Sequence, residues 1–283
     1  MPQSDPKLLV STEWLASHLS APDVKVLDGT WRLPGQGGDP REDFEAAHIP
    51  DARFFDIDDV SDKASSLPHM LPSVEKFVSR VRRLGVGDGH RVVVYDQDGL
   101  FSAARVWWMF RVFGHEDVAV LDGGLKKWIA EGRPTDDMPA QPRERHYTGR
   151  KNASLVRDVT QVAASLKVGE EQIVDARSPA RFRGDEPEPR KGLRAGHIPG
   201  AKNVHYATLF NADGTMKPVE DTRAVFEAAG VSLDKPIITS CGSGVTAGIL
   251  ALALARLGHR KTAVYDGSWT EWGAYPDLAV ETG

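Results

Sequence analysis

Short valine- and isoleucine-rich runs alternate along this chain with longer stretches whose apolar residues recur every three to four positions. Runs such as VVVY, VAVL, QIV and PIITS have the length and β-branched content of buried strands. Between them lie helical patterns, the longest around RVWWMFRV and TAGILALALARL. Strand and helix in strict alternation predict an α/β fold with a mainly parallel sheet flanked by helices. Residues 236–240 read as a strand and 246–257 as a helix. Trp107, Trp108 and Phe110 fall at core-like spacing on a helix and are assigned to packing.

The pattern occurs twice. VKVLDGTWR at 24–32 returns as QIVDARSPAR at 172–181, and AHIPDARFFDID at 47–58 as GHIPGAKNVHYA at 196–207. RVVVYDQDGLFSAARVWWMFRVFG at 91–114 returns as KPIITSCGSGVTAGILALALARLG at 235–258, and VAVLDGGLKKW as TAVYDGSWTEW at 262–272. Four blocks in the same order imply a duplicated domain. Residues 133–154 are polar, proline-bearing and aperiodic, as a linker would be. The expected division is a first domain at 1–135, a linker at 136–153 and a second domain at 154–283. His48 and His197 recur in both halves, as do Asp122 and Asp266, so all four read as structural, the aspartates as turn formers.

Composition narrows the field. With 283 residues, 41% hydrophobic and 27% charged, the chain suits two soluble globular domains. A formal net charge of −5 argues against nucleic acid or an anionic membrane as partner. A single cysteine excludes an internal disulfide and suits a reducing compartment, and the start shows no signal peptide, so a cytoplasmic location is expected. The longest apolar stretch is too short to span a bilayer. Scattered histidines and the lack of a GxGxxG after a strand point to no metal and no dinucleotide.

The one cysteine sits where chemistry would put it. Cys241 opens a glycine-bearing loop, CGSGVT, between an apolar strand and an apolar helix. The N–H groups of Gly242, Ser243, Gly244, Val245 and Thr246 can curl around its sulfur, with the positive end of the helix aimed at the same point. Both effects favour the thiolate and cradle an anion carried on the sulfur. The first half has Asp96 at this place, so only the second half can use a nucleophilic cysteine.

CGSGVTA, RFRGDEPEPR, GHIPGAKN, YDGSWTEW, LFSAARVWWMFRVFGH and LPHMLP together resemble the tandem-domain rhodanese superfamily, and within it the 3-mercaptopyruvate sulfurtransferases. The resemblance covers nearly the whole chain. It implies two rhodanese-like domains, the second catalytic, and a cofactor-free enzyme. In such enzymes the loop cysteine takes sulfur from a 2-oxo acid thiol, releases pyruvate and holds the sulfur as a persulfide. A thiol acceptor, such as thioredoxin or another dithiol, or cyanide then removes it. The family pattern assigns Cys241, Ser243, His69 and Asp58 to catalysis, the last three as a proton relay, and Arg181 and Arg190 to the substrate carboxylate. Arg183 is expected to pair with its acidic neighbours. His69 lies in the first half, so its role requires that half to face the Cys241 loop.

Three other functions compete for a cysteine at such a turn. A cysteine phosphatase needs an arginine six residues after the cysteine, where Ala247 stands. A non-catalytic sulfur-binding module has no need of an intact cysteine loop. Thiosulfate:cyanide sulfurtransferase is the nearest alternative, and a loop without a cation favours the less charged donor.

Overall fold

Each half of the chain builds a five-stranded parallel sheet, and the two sheets have one topology. The computed structural model describes residues 7–33 and 35–283. Of the start read as lacking a signal peptide, residues 1–6 lie outside the described ones. The first half contains β1 (Leu9–Val10), α1 (Thr12–His18), β2 (Val24–Asp28), α2 (Pro40–Ala46), β3 (Arg53–Phe54), α3 (Val74–Arg83), β4 (Arg91–Tyr95), α4 (Ala103–Val112), β5 (Val118–Leu121) and α5 (Gly124–Ala130). The second contains β6 (Val156–Arg157), α6 (Val159–Val168), β7 (Gln172–Asp175), α7 (Pro179–Arg183), β8 (Lys202–Asn203), α8 (Val219–Ala228), β9 (Ile237–Ser240), α9 (Ala247–Arg256), β10 (Thr262–Tyr265) and α10 (Ser268–Trp272). The strand orders, β1-β5-β4-β2-β3 and β6-β10-β9-β7-β8, are the same order counted from each half's first strand. The duplicated blocks thus fold into duplicated α/β sheets, as the alternation predicts.

The central strands are apolar because both faces of a parallel sheet are covered. Every residue of β5 and β9 is buried, as is every residue of α9 from Ala247 to Leu254. A helix apolar all round must be enclosed, and the sequence supplies one directly after the strand that carries the cysteine. Trp107, Trp108 and Phe110 on α4 are buried. His48 and His197 play the same structural part in each half. Their Nδ1–H groups donate to the carbonyls of Phe44 and Phe182, at 2.7 and 2.8 Å, and the rings stack on those same phenylalanines.

The compact units do not follow the repeat boundary. One comprises Met1–Lys63, Leu71–Asn152 and Asn211–Met216; the other comprises Ala64–Met70, Ala153–Phe210 and Lys217–Gly283. Residues 136–152, expected as a linker, belong to the first unit and spend their backbone hydrogen bonds there. His48 and Asp136 form a bridge, Arg150 N–H donates to Phe113 O, and Asn152 N–H donates to Val112 O. Asp122, expected only to form a turn, also accepts the Met216 N–H at 2.8 Å, which ties the 211–216 segment to the first unit.

Among the described residues no helix is long and apolar enough to cross a membrane. Among them, too, no group of three or more His, Cys, Asp or Glu side chains is arranged to hold a metal ion.

Candidate active site

Cys241 is the first residue after β9, at the carboxyl end of the second sheet, and is 2% exposed. The register of the two sheets fixes its counterpart. Asp28 lies opposite Tyr95 in the first sheet, and Asp175 lies opposite Ser240 in the second, so Asp96 and Cys241 are the next residues of matching strands. Two backbone bonds repeat the match: Leu125 N–H donates to Asp96 O and Trp269 N–H to Cys241 O, each at 3.0 Å.

The two loops display one device in two states. In the first unit Asp96 Oδ2 accepts the N–H groups of Phe101, Ser102 and Ala103 at 2.7, 2.8 and 2.9 Å, while Asp98 N–H donates to Oδ1 at 3.1 Å. Burial pushes this carboxyl up, and the loop amides pull against that shift. An oxygen that accepts three N–H groups marks the loop as an anion cradle. In the second unit Gly244 N–H donates to Cys241 Sγ at 3.1 Å, and Gly244 takes φ +79°, a conformation open to glycine at no steric cost. Ser243, Val245 and Thr246 line the same buried loop, with exposures of 4, 2 and 9%.

Arg181 stands beside this loop. Its segment forms a helix because Ser178 caps the start, Pro179 occupies the first turn, and Gly184 ends it in the left-handed conformation at φ +85°. The Arg181 Nη2 lies 3.0 Å from where a Cβ on Gly242 would be, so a side chain there would press the guanidinium aside by a few tenths of an ångström. Glu188 holds it there: Nη2 donates to Glu188 Oε2 at 2.5 Å and Nε to Oε1 at 3.3 Å. Arg183 pairs with Asp185 at 2.8 Å at the surface, as its acidic neighbours imply.

Glu188 is 3% exposed along its side chain and serves two arginines. Arg177, 1% exposed, donates from Nη1 to Glu188 Oε1 at 2.7 Å, from Nη2 to Asp175 Oδ2 at 2.7 Å and to Gly196 O at 2.9 Å. Its guanidinium carbon also lies 4.4 Å from the centre of the Trp269 ring. Burial alone would lower the Arg177 guanidinium, and Asp175 with Glu188 more than offset it. The result is a buried chain Asp175–Arg177–Glu188–Arg181 that ends against the Cys241 loop. Neither Arg177 nor Glu188 stands out in the sequence. The first unit has Thr30 in the place of Arg177, and there burial pushes the Asp28 carboxyl up to about 6 against hydrogen bonds from Thr30 and Gln97.

His69 is 6% exposed and takes φ +59°, a strained conformation for a histidine. Its segment, Ala64–Met70, belongs to the unit that contains Cys241. Arg190 Nη2 approaches His69 Nε2 to 3.5 Å, where only a neutral ring protonated on Nδ1 can accept. The fold therefore gathers Cys241, Ser243, His69, Arg181 and Arg190 into one compact unit. Asp58 belongs to the other unit, where its Oδ2 accepts the Trp31 Nε1–H at 3.1 Å.

The rhodanese-like domain profile matches residues 11–131 and 158–275. The thiosulfate/3-mercaptopyruvate sulfurtransferase 1 of Arabidopsis thaliana is 45% identical over 97% of this chain and 78% of its own length. The human 3-mercaptopyruvate sulfurtransferase is 43% identical over 98% of this chain and 96% of its own. The crystal structure of SseA, a 3-mercaptopyruvate sulfotransferase from Escherichia coli, superposes with a TM-score of 0.85 at 42% identity, covering 93% of this chain and 99% of that one. Two matching domains, full-length relatives and the shared fold give one answer: this chain belongs to the rhodanese family, as a tandem-domain sulfurtransferase.

Proposed function

We propose that the enzyme takes sulfur from 3-mercaptopyruvate through a persulfide on Cys241, releases pyruvate, and passes the sulfur to a thiol acceptor. The observation that carries this reading is the pair of loops. The loop at the matching place holds a carboxylate oxygen on three amides at Asp96, and the Cys241 loop directs the Gly244 N–H at the sulfur.

The Cys241 thiolate attacks the thiol sulfur of the substrate. The carbon–sulfur bond breaks with its electron pair on carbon, giving the enolate of pyruvate and a sulfur–sulfur bond on Cys241. A proton taken up by the enolate carbon completes pyruvate, and the outer sulfur rests on the loop amides. Ser243 and His69 are the groups of this unit suited to move that proton. A thiol acceptor attacks the outer sulfur, leaves as a persulfide and restores Cys241. Thioredoxin or another dithiol fits that step, and the chemistry calls for no resident cofactor.

Arg181 and Arg190 fit the substrate carboxylate, since a planar guanidinium matches it with two parallel bonds. Replacing Arg190 by lysine keeps the charge and loses that geometry. Arg190→Lys is expected to raise KM for 3-mercaptopyruvate roughly tenfold with kcat within about threefold of wild type. Steady-state pyruvate release measures both, and an unchanged KM would remove Arg190 from the clamp.

Thiosulfate is a second donor worth testing, because the Arg181 guanidinium beside Gly242 brings positive charge to a loop that has none of its own. Intact-protein mass spectrometry after mixing with each donor separates the readings. A gain of one sulfur that forms faster with 3-mercaptopyruvate, with pyruvate released in equal amount, is the expected result. Faster labelling by thiosulfate would reassign the donor. No adduct from either would end the persulfide mechanism.

A further inference from the structure

Ser268 is one of three non-glycine residues with positive φ among those described, at +50°; Asp51 and His69 are the others. A serine is strained there, and such strain survives only where the surroundings impose it. The corresponding turn of the first unit shows the relaxed solution. It reads DGG where the second reads DGS, and Gly124 occupies the matching place at φ +58°. A Cβ on Gly124 would meet Gly99 O at 2.3 Å. The Cys241 loop is one residue shorter than the Asp96 loop, and here a side chain is tolerated.

That side chain is fully buried, and its hydroxyl joins two backbone groups. Ser268 Oγ donates to Tyr265 O at 2.8 Å and accepts the Cys241 N–H at 3.2 Å. The next two residues grip the same corner. Trp269 N–H donates to Cys241 O at 3.0 Å, Thr270 N–H to Gly242 O at 2.8 Å, and Thr270 Oγ1 to Gly242 O at 2.6 Å. The nucleophile's backbone is thus held on both its N–H and its C=O. The first unit keeps the bond from Leu125 to Asp96 O, and with glycine at 124 it has no hydroxyl for the second hold.

We propose that Ser268 is a positioning residue for Cys241: its hydroxyl, kept at the cost of a left-handed serine, fixes the cysteine backbone so that Sγ stays against Gly244 N–H. This rests on Cys241 being the sulfur-carrying nucleophile.

The test compares Ser268→Gly with Ser268→Ala. Glycine removes both hydroxyl and strain, and the fold already accepts it at Gly124; alanine removes the hydroxyl and keeps the strain. If the hydroxyl acts on Cys241, activity follows the hydroxyl while stability follows the strain. Ser268→Gly should melt no lower than Ser268→Ala, yet lose kcat for pyruvate release roughly 10- to 100-fold through misplacement of the nucleophile. KM should stay within about twofold, because the arginines are untouched. Alkylation of Cys241 by iodoacetamide should slow as well. Ser268→Gly with wild-type kcat and wild-type alkylation would overturn the proposal. So would a KM that rises as kcat falls, since that assigns the turn to substrate binding. Alkylation reads the hold on Cys241 without any donor, so failure of the persulfide reading would appear separately, as wild-type enzyme that releases no pyruvate.

Discussion

Cys241→Ser leaves a folded protein that gains no sulfur from 3-mercaptopyruvate and releases pyruvate at least about 10⁴-fold more slowly than wild type, the scale on which a lost nucleophile acts. The substitution changes one atom at a buried position. Gly244 N–H, which donates to Sγ at 3.1 Å, can donate to a serine hydroxyl instead, so the loop keeps its form. What disappears is the thiolate. A serine hydroxyl remains protonated near neutral pH and is a poor nucleophile towards sulfur, whereas a cysteine thiolate is a strong one. As Cys241 is the only cysteine, no other thiol in the chain can take over. Pyruvate assay and intact mass, with circular dichroism as the folding control, check this. Turnover above about one-hundredth of wild type would place the chemistry elsewhere.

The second large effect concerns stability. Arg177→Leu is expected to destabilise the second unit by about 3–5 kcal/mol, the usual consequence of removing one partner from a buried ion chain. Asp175 and Glu188 flank Arg177 with side chains 2 and 3% exposed, so its loss leaves two carboxylates in a dry interior that its guanidinium now satisfies. Denaturant unfolding followed by tryptophan fluorescence suits the measurement, since Trp269 stacks on Arg177. Neutralising both acids as well, in Arg177→Leu with Asp175→Asn and Glu188→Gln, should recover part of the loss, because the cost lies in unpaired charge more than in missing contact. A single variant as stable as wild type would mean that water reaches the chain Asp175–Arg177–Glu188–Arg181.

The amino-acid sequence by itself carries much of this. The Cys241 loop is local: strand, glycine turn and helix follow one another within about twenty residues, and each signal is strong by itself. The duplication is legible because four blocks recur in order, and strand register then shows Asp96 in the cysteine's place. The ion chain is not legible. Arg177 and Glu188 sit in segments whose charges read equally well as solvated, and only the fold brings them to 2.7 Å. Ser268 hides in a turn motif whose aspartate and glycine already account for the turn. The 64–70 segment carries no periodicity, so only the family resemblance of LPHMLP links it to the Cys241 loop.

That segment has a consequence for the history of the molecule. A duplicated domain begins as two self-sufficient copies, either of which can be lost or moved to another gene. Here each compact unit has come to include a short stretch of the other copy, Ala64–Met70 in one direction and Asn211–Met216 in the other. Cutting the chain between residues 152 and 153 would deprive each unit of a piece that its own half does not encode. Neither half of the chain, taken alone, holds all the residues of its own compact unit.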